Sequence, residues 1–549
     1  IGIDVGTQST KSLLYDPINQ KVIARSSRSY DLDDNPNKIE GRAEQHPRKW
    51  LIALKETLQD LSVTIRERKL VVGGMGVSGQ QHGMVLLDEN DHVIRSAKLW
   101  CDVEAVDQAK QFSKLAGWNV SPGFTAPKVL WSKDMEPEIF ENTKYILLPH
   151  DYINYALRKG ITDATCTPSS GENTHTNYDN DSNHTHHITP TTDAGDASGT
   201  GIFDPATRQY IPHLADLLNA NPDHNLPKIL PPNASCGNLS SQWKSIIQID
   251  TQHTYEVPLS VGSGDNMCSA LGTGCVSPGT AVLSLGTSGT IFGVSDVPVA
   301  RHSNTVVAPF CDATGKHLPL VCIMSCTSVL NSILEHWCSD NSSNLTHAKA
   351  TELASKIPPG CHGLTFLPYL GGERTPNWPH ATGAMLNVTS QNIHTLSDPG
   401  MKYRMAMEGV TYLLADALEH MRQACNNGSD HYNDNNNHDD DDDCDNTLTQ
   451  TQGFNPNCLL VVGGGSKNKL WRQMLSDVLG MELRFPLENE SAALGAAFQA
   501  GAIWKGQSVE DFVKDQHIEM DANSIVKPTE DEATLKAYRD GLERYRFWS

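Results

Sequence analysis

What the sequence lacks narrows the field first. Its 549 residues contain no run of ~18 apolar residues, so no transmembrane helix and no membrane partner are expected. Positive charge is scarce: 43 Lys and Arg stand against 65 Asp and Glu, a formal charge of −22. Nucleic-acid binding needs a basic footprint, and none is expected here. The thirteen cysteines form no Cys-x-x-Cys pair. That fits reduced thiols and a cytoplasmic location. Cys311, His317, Cys322 and Cys326 are the tightest grouping, and without zinc-type pairing they read as buried small side chains. No Gly-x-x-x-x-Gly-Lys-Ser loop occurs, which excludes a Walker A site.

Two stretches have almost no large apolar residues. Residues 167–195 and 426–457 are rich in Asn, Asp, His and Thr; together their 61 residues hold 12 acids and no Lys or Arg. Such composition buries too little surface to fold, so both read as disordered inserts whose excision should leave the rest intact. The acidic run Asp439–Asp443 reads as a solvated loop. Without the two tracts, 488 residues remain with a net charge of −10, long enough for more than one domain.

The rest alternates strand and helix signals, an α/β pattern. Residues 1–5 and 12–15 read as strands around a Gly6-Thr7 turn. A helix is expected over 47–68, where Pro47 suits the first position and Trp50, Leu54, Leu58, Leu61 and Ile65 recur on one face. Val71–Val77 reads as a strand running into Ser78-Gly-Gln-Gln-His-Gly83. Further on, Val282–Leu285, Gly286-Thr287-Ser288-Gly289 and Thr290–Val294 repeat the opening strand, Gly-Thr turn and strand. Helices are expected over 402–424, 470–479 and from Leu535 to Tyr545, and a strand over 459–462. A unit repeated in two halves predicts two similar domains with a cleft between them. The boundaries are 1–275, 279–505 and a helical segment at 506–549.

The residues able to do chemistry cluster at the turns. Asp4 ends a strand beside Gly6-Thr7, with Lys11 following. Leu285-Gly286-Thr287-Ser288 supplies a second turn of backbone amides and hydroxyls. Glycine lets such turns approach anionic oxygens, so a pair in two half-chains favours a nucleotide gripped from both sides. Gly463-Gly464-Gly465-Ser466-Lys467-Asn468 lies between strand and helix, where backbone can accept a flat base or ribose. Gly264-Asp265-Asn266 places a carboxylate in a glycine-rich loop, as phosphoryl transfer to a hydroxyl requires. Gln81 and His82 offer hydrogen-bonding groups suited to sugar hydroxyls, and Trp100 with Asp102 pairs an apolar face with an acceptor.

In order and spacing these motifs resemble the FGGY carbohydrate kinases over nearly the whole chain outside the inserts. They include Ile1-Gly-Ile-Asp-Val-Gly-Thr7, Gly79-Gln-Gln-His-Gly83, Leu99-Trp-Cys-Asp102 and Pro122-Gly-Phe-Thr-Ala-Pro-Lys128. They continue through Gly264-Asp-Asn266, Leu283-Ser-Leu-Gly-Thr-Ser-Gly289, Phe366-Leu-Pro-Tyr-Leu370, Gly372-Glu-Arg-Thr-Pro376 and Gly463-Gly-Gly-Ser466. The resemblance implies two ribonuclease-H-like domains of the actin-like ATPase superfamily flanking a catalytic cleft. It implies ATP as co-substrate with Mg²⁺, a small sugar as acceptor, and a monomer or homodimer. By the same resemblance Asp265 is the catalytic base toward a ketose 5-hydroxyl, and Asp4 positions Mg²⁺. Thr7, Lys11, Gly286, Thr287 and Ser288 contact ATP phosphates. Gly463, Gly464 and Asn468 line the adenosine site, with Trp337 near the adenine. Gln81, His82, Trp100, Asp102 and Asn266 contact sugar, and the Gln-x-His stretch points to xylulose. Two departures stand out: Cys101 replaces an expected Asn, and the first insert interrupts the approach to Asp196-Ala-Ser-Gly-Thr200.

Overall fold

The computed structural model of the chain describes residues 1–167, 188–221, 223–248, 255–300, 306–338, 345–426 and 453–549. Two sheets built on one plan organise it. In the first, β1 (Gly2–Val5), β2 (Ser9–Asp16), β3 (Lys21–Ser29), β4 (Gly76–Gly79) and β5 (Ser263–Gly264) lie in the order β5-β4-β1-β2-β3. In the second, β6 (Thr280–Leu285), β7 (Gly289–Gly293), β8 (Ala308–Cys311), β9 (His317–Ile323), β10 (Cys458–Val462) and β11 (Glu482–Arg484) lie in the order β8-β9-β7-β6-β10-β11. Each sheet has a central strand, antiparallel neighbours on one side and parallel ones on the other. This is the ribonuclease-H-like arrangement, twice.

The plan explains why the chemistry gathers in one place. β1, β4 and β5 are parallel, so Val5, Gly79 and Gly264 finish side by side. Parallel sheets put their functional loops beyond the carboxyl ends of the strands. Asp4 therefore lies one strand away from Gln81 and His82, and two from Asp265; strands are ~4.8 Å apart. In the other sheet β6 and β10 end together, bringing Gly286–Ser288 beside Gly463.

Two helices join the halves. α1 (Asp265–Thr273) starts at the end of the first sheet and packs on the second; α2 (Ser491–Lys505), from the far end of the chain, lies on β1 and β4. They cross each other at glycines. A Cβ on Gly272 would stand 1.9 Å from the Ser491 carbonyl oxygen, and one on Gly495 would stand 1.8 Å from that of Cys268. The apolar core between the halves, with Leu13, Met267, Leu271, Val282, Phe292, Leu460 and Phe498, forms around this crossing. A last helix, Glu532–Trp548, packs by Tyr538 and Tyr545 onto Pro399–Asn426.

The expected limits of the two inserts are corrected in part. Residues 168–187 and 427–452 lie outside the described residues, so the disorder reading and the Asp439–Asp443 loop are not addressed there. The flanks are ordered. Thr191–Asp193 is a strand pairing with Lys228–Leu230, and Asp193 caps the short helix that follows, accepting from Gly195 N and Asp196 N at 2.9 Å. Phe454 is buried in the second lobe's core. Excising all of 167–195 would remove a buried strand. Composition misled because Thr, Asp and Gly here satisfy one another's backbone rather than solvent.

Candidate active site

A cleft of about 1310 Å³ opens between the two sheets. The structure brings Thr7, Lys11, Gln81, His82, Trp100, Asp265, Asn266, Gly286, Thr287 and Ser288 together on its walls. The two Gly-Thr turns are presented in the same way. Their carbonyls are tied back into the protein: Gly6 O accepts from Tyr30 Oη at 2.7 Å and Thr7 O from Gln45 Nε2 at 2.8 Å. Opposite, Gly286 O accepts from Thr327 Oγ1 at 2.6 Å and Thr287 O from Ser328 N at 3.2 Å. Carbonyl oxygens repel phosphate, so occupying them on both walls readies the cleft for an anion. The Thr7 hydroxyl donates to Gln80 Oε1 and accepts from Trp100 Nε1, both at 2.9 Å. Trp100 thus braces the phosphate-side turn as well as lining the cleft.

Asp265 opens α1, where its Oδ1 accepts from Asn266 N at 2.8 Å and Asn266 Nδ2 at 3.0 Å. Asn266 also donates to Gln81 Oε1 at 2.8 Å, linking base and sugar-side residues. Burial and then the charge of Asp4 push the Asp265 carboxyl up to about 8. Asp4 is 7% exposed and accepts from Ser78 Oγ at 3.0 Å. Burial raises its pKa too, against the pull of Lys11, 4.0 Å away. Lys11 is shared with Glu490 at 2.8 Å. Burial opposes the Lys11 charge, yet Asp4, Glu490 and Asp265 together leave its pKa raised. Asp4 and Glu490 set two carboxylates against one lysine, and a divalent cation brought in with the phosphates would neutralise the excess.

His82 is held from several sides. It sits at φ +62°, 8% exposed, stacked on Phe124 with ring centres 4.6 Å apart. Phe310 of β8 approaches it at 5.6 Å, so the second lobe helps wall this pocket. Burial and then Arg374 hold its pKa well below the ordinary value, which keeps the ring neutral. Its Nδ1 lies 3.0 Å from Gly199 O. A carbonyl only accepts, so Nδ1 carries the proton and Nε2 is left as an acceptor for a hydroxyl.

Lys128 ends the Pro122–Lys128 motif and underpins the sugar pocket. Its Nζ is fully buried and donates to His82 O at 2.9 Å and Gly123 O at 2.7 Å. Thr125 Oγ1 adds a bond to His82 O at 3.2 Å. Lys128 therefore clamps the backbone beneath both stacked rings; burial brings its own pKa down to about 7. Lys128→Met fills the same volume without the donors. It is expected to raise the KM for the sugar about tenfold, the worth of ~1.4 kcal/mol of lost positioning, with the KM for ATP unchanged. Steady-state kinetics against each substrate, with a thermal melt, check this.

Another unforeseen group lies behind the pocket. His150, Asp151, Asp193 and Asp196 are essentially fully buried. His150 Nδ1 is 2.5 Å from Asp196 and its Nε2 3.3 Å from Asp151. Burial disfavours the imidazolium, but the flanking carboxylates win and raise His150 to about 9. The charged ring ties Pro149–Lys159 to the segment carrying Gly199, the partner of His82.

Three of the expected contacts are turned elsewhere. Asp102 is fully buried; it accepts from Ala43 N at 2.9 Å and pairs with Lys98 at 3.2 Å, so it shapes the pocket's support and does not line the cleft. Asn468 caps the helix Lys469–Leu479 through Trp471 N and donates to Thr351 Oγ1 at 3.0 Å. Trp337 lies beside Phe366, rings 6.0 Å apart, under Lys402. Gly463 and Gly464 fare better. At φ +88°, a Cβ on Gly463 would stand 2.8 Å from Leu285 O, whereas one on Gly464 would meet nothing within 4 Å. Gly464 is thus an open backbone surface next to the second turn. Glu44, Asp102 and Glu104 also form a three-carboxylate group, but Lys98 reaches all three, which leaves no need for a cation.

Two ribonuclease-H-like lobes, an anion-ready turn on each and a carboxylate between them define a phosphotransferase of the actin-like ATPase fold. Comparison with known proteins agrees. The N-terminal-domain model of the FGGY family of carbohydrate kinases matches residues 1–180, and its C-terminal-domain model matches 281–504. A xylulose kinase of Haemophilus influenzae is 32% identical, covering 99% of this chain and 98% of its own. Among solved structures, a xyloylose kinase from Brucella ovis is 25% identical with a TM-score of 0.80, covering 100% of this chain and 97% of its own. A gluconate kinase from Lactobacillus acidophilus, 23% identical, has a TM-score of 0.78 and covers 100% and 96%. The chain belongs to the FGGY family of carbohydrate kinases. Among the described residues no helix is long and apolar enough to cross a membrane.

Proposed function

We propose that the chain transfers the γ-phosphoryl group of ATP to the 5-hydroxyl of D-xylulose, giving D-xylulose 5-phosphate and ADP. The observation that carries this reading is the pairing of tied-back Gly-Thr turns on opposite walls with Asp265 between them. Relatives named xylulose kinase supply the acceptor, and neutral His82 with the Gln81–Asn266 pair suits a polyhydroxylated chain. The lobes we assign are 1–275 and 279–505, and the free thiols suit a cytoplasmic setting.

Phosphoryl transfer passes through a loose transition state, so positioning and charge neutralisation dominate. The backbone of Thr7 and of Gly286–Ser288, with Lys11, holds the phosphates; Gly463 and Gly464 face the adenosine. Asp265 accepts the hydroxyl proton as oxygen bonds to phosphorus and the bond to ADP breaks. Asp4 is the residue that fits Mg²⁺, and the ion would supply charge neutralisation at the phosphates. Closure of the lobes excludes water and with it wasteful hydrolysis.

A coupled ADP-release assay over D-xylulose, D-ribulose, gluconate and glycerol tests the acceptor. Preference for anything but D-xylulose overturns that part of the reading. The adenosine site is tested by Gly464→Val. With nothing within 4 Å of the added carbon, the fold should be undisturbed. The KM for ATP is expected to rise about tenfold or more, as an added alkyl group at a close contact does, while that for sugar stays put. An unchanged KM for ATP would place the nucleotide elsewhere.

A further inference from the structure

The cleft contains a cation to which neither the sequence motifs nor the reaction scheme gives work. Arg374 lines the cleft from the second lobe, half-buried, opposite the wall that carries His82. Its backbone is fixed with unusual care. The neighbouring Glu373 is 2% exposed, and its carboxylate spends itself on backbone donors: Met324 N at 2.7 Å, Ser325 N at 3.1 Å and Arg374 N at 2.7 Å. Thr375 Oγ1 donates to Cys322 O at 2.9 Å, pinning the same turn to β9. Burying a carboxylate is costly unless its bonds matter, and these hold one short turn rigid.

Of the other cations near the acceptor, Lys11 is partly neutralised by Glu490 and Asp4, and Lys128 is spent on two backbone carbonyls. Among the described residues Arg374 forms no ion pair with a carboxylate: its neighbour Glu373 is spent on backbone N–H groups, and the guanidinium reaches only as far as the Cys322 thiol. Its charge is felt at His82, Lys128 and the Cys322 thiol, which places it on the acceptor side of the cleft, away from the adenosine loop. A guanidinium presents a planar fork of donors that matches phosphate oxygens two at a time.

We propose that Arg374 contacts the phosphoryl group as it reaches the sugar hydroxyl and holds it on the product, as the second lobe's counterpart to Asp265. The inference rests on the sugar-kinase reading, though not on which sugar is the acceptor. It accounts for an arginine on a firmly held turn that, among the described residues, has no carboxylate partner in a cleft that takes up phosphate: the reaction brings the anion. It also gives lobe closure a chemical purpose, since Asp265 follows the first sheet and Arg374 lies on a turn tied to the second.

The test uses the full chain with Arg374→Gln and Arg374→Lys, on whichever acceptor the wild type phosphorylates in the panel above. Failure of the xylulose assignment therefore leaves this result readable. Loss of a transition-state donor of this kind costs about 10²–10³-fold in kcat. Arg374→Gln is expected to show that loss, with the sugar KM changed by less than about threefold and the product-inhibition constant of the sugar phosphate raised about tenfold or more. Arg374→Lys, which keeps the charge but not the fork, should fall between. Thermal melts of both establish that they fold, and Arg374→Lys stands in should Arg374→Gln be unstable. A raised sugar KM with kcat retained would mean that Arg374 binds a sugar hydroxyl, and unchanged product inhibition would mean that it does not touch the phosphoryl group. Either result overturns the proposal.

Discussion

Asp265→Asn is expected to stop phosphoryl transfer and, at alkaline pH, to make the protein more stable. The first effect follows from removing the acceptor of the hydroxyl proton, a loss of about 10²–10⁴-fold in kcat. The second follows from the environment of the carboxyl. Burial and the neighbouring Asp4 raise it to about 8 in the folded protein, against ~3.9 in an unfolded chain. A group raised on folding favours the folded state fully only below its unfolded value, and that favour is lost as pH climbs through the folded value. The wild type therefore loses stability between about pH 4 and pH 8 through this residue, and the neutral amide does not. Asn still accepts from the Asn266 backbone, so the start of α1 is preserved. Melts at pH 5 and pH 8 should show the variant's advantage widening with pH. Activity runs the other way. The carboxylate is the working form, so wild-type kcat/KM should fall as pH drops below about 8. A variant that is inactive and also less stable at pH 8 would mean that Asp265 is structural.

Gly495→Val is expected to abolish the folded protein, although no ligand is near it. The added Cβ would stand 1.8 Å from the Cys268 carbonyl and 2.9 Å from Gly272 N. Both are backbone atoms of α1, so no rotamer change relieves the clash; the helices themselves must separate. Overpacking of side chains costs ~1–3 kcal/mol, and a backbone collision at the crossing on which both lobes depend belongs to the exceptional class above about 4 kcal/mol. The consequence is not local. α2 covers β1 and β4, and α1 begins with Asp265. Any protein that does fold should also lose kcat. Soluble yield, circular dichroism and a thermal melt measure this, with Gly464→Val as the matched control in open space. Wild-type stability in Gly495→Val would show that the helices have room to part.

The same glycines show why the sequence hid some of this. Gly272 and Gly495 lie 223 residues apart, and nothing local marks them as partners. Lys128 and Arg374 stand in recognisable motifs, but their tasks come from what surrounds them: two carbonyls for one, and for the other a cleft in which no described carboxylate pairs with it. Asp102 and Asn468 show the opposite case. Both carry the polar groups a ligand site wants, and folding spent those groups on Lys98 and on a helix cap. Asp193 and Phe454 are buried although they sit in polar sequence that reads as insert, because composition averages over neighbours while burial is decided residue by residue.

By itself, the sequence determined the local grammar. Alternating strands and helices, the Gly-Thr turn repeated in each half and a carboxylate opening a helix are set by φ/ψ preference, side-chain period and the need to approach phosphate. Those constraints act within a few residues and leave a readable mark. The tertiary structure alone decided which polar groups remained free. That depends on partners from remote parts of the chain: Tyr30 and Gln45 behind one turn, Thr327 behind the other, Asp4 raising Asp265 from two strands away. A buried donor or charge is either satisfied by its neighbours or left for a ligand, and only the packed fold brings those neighbours within reach.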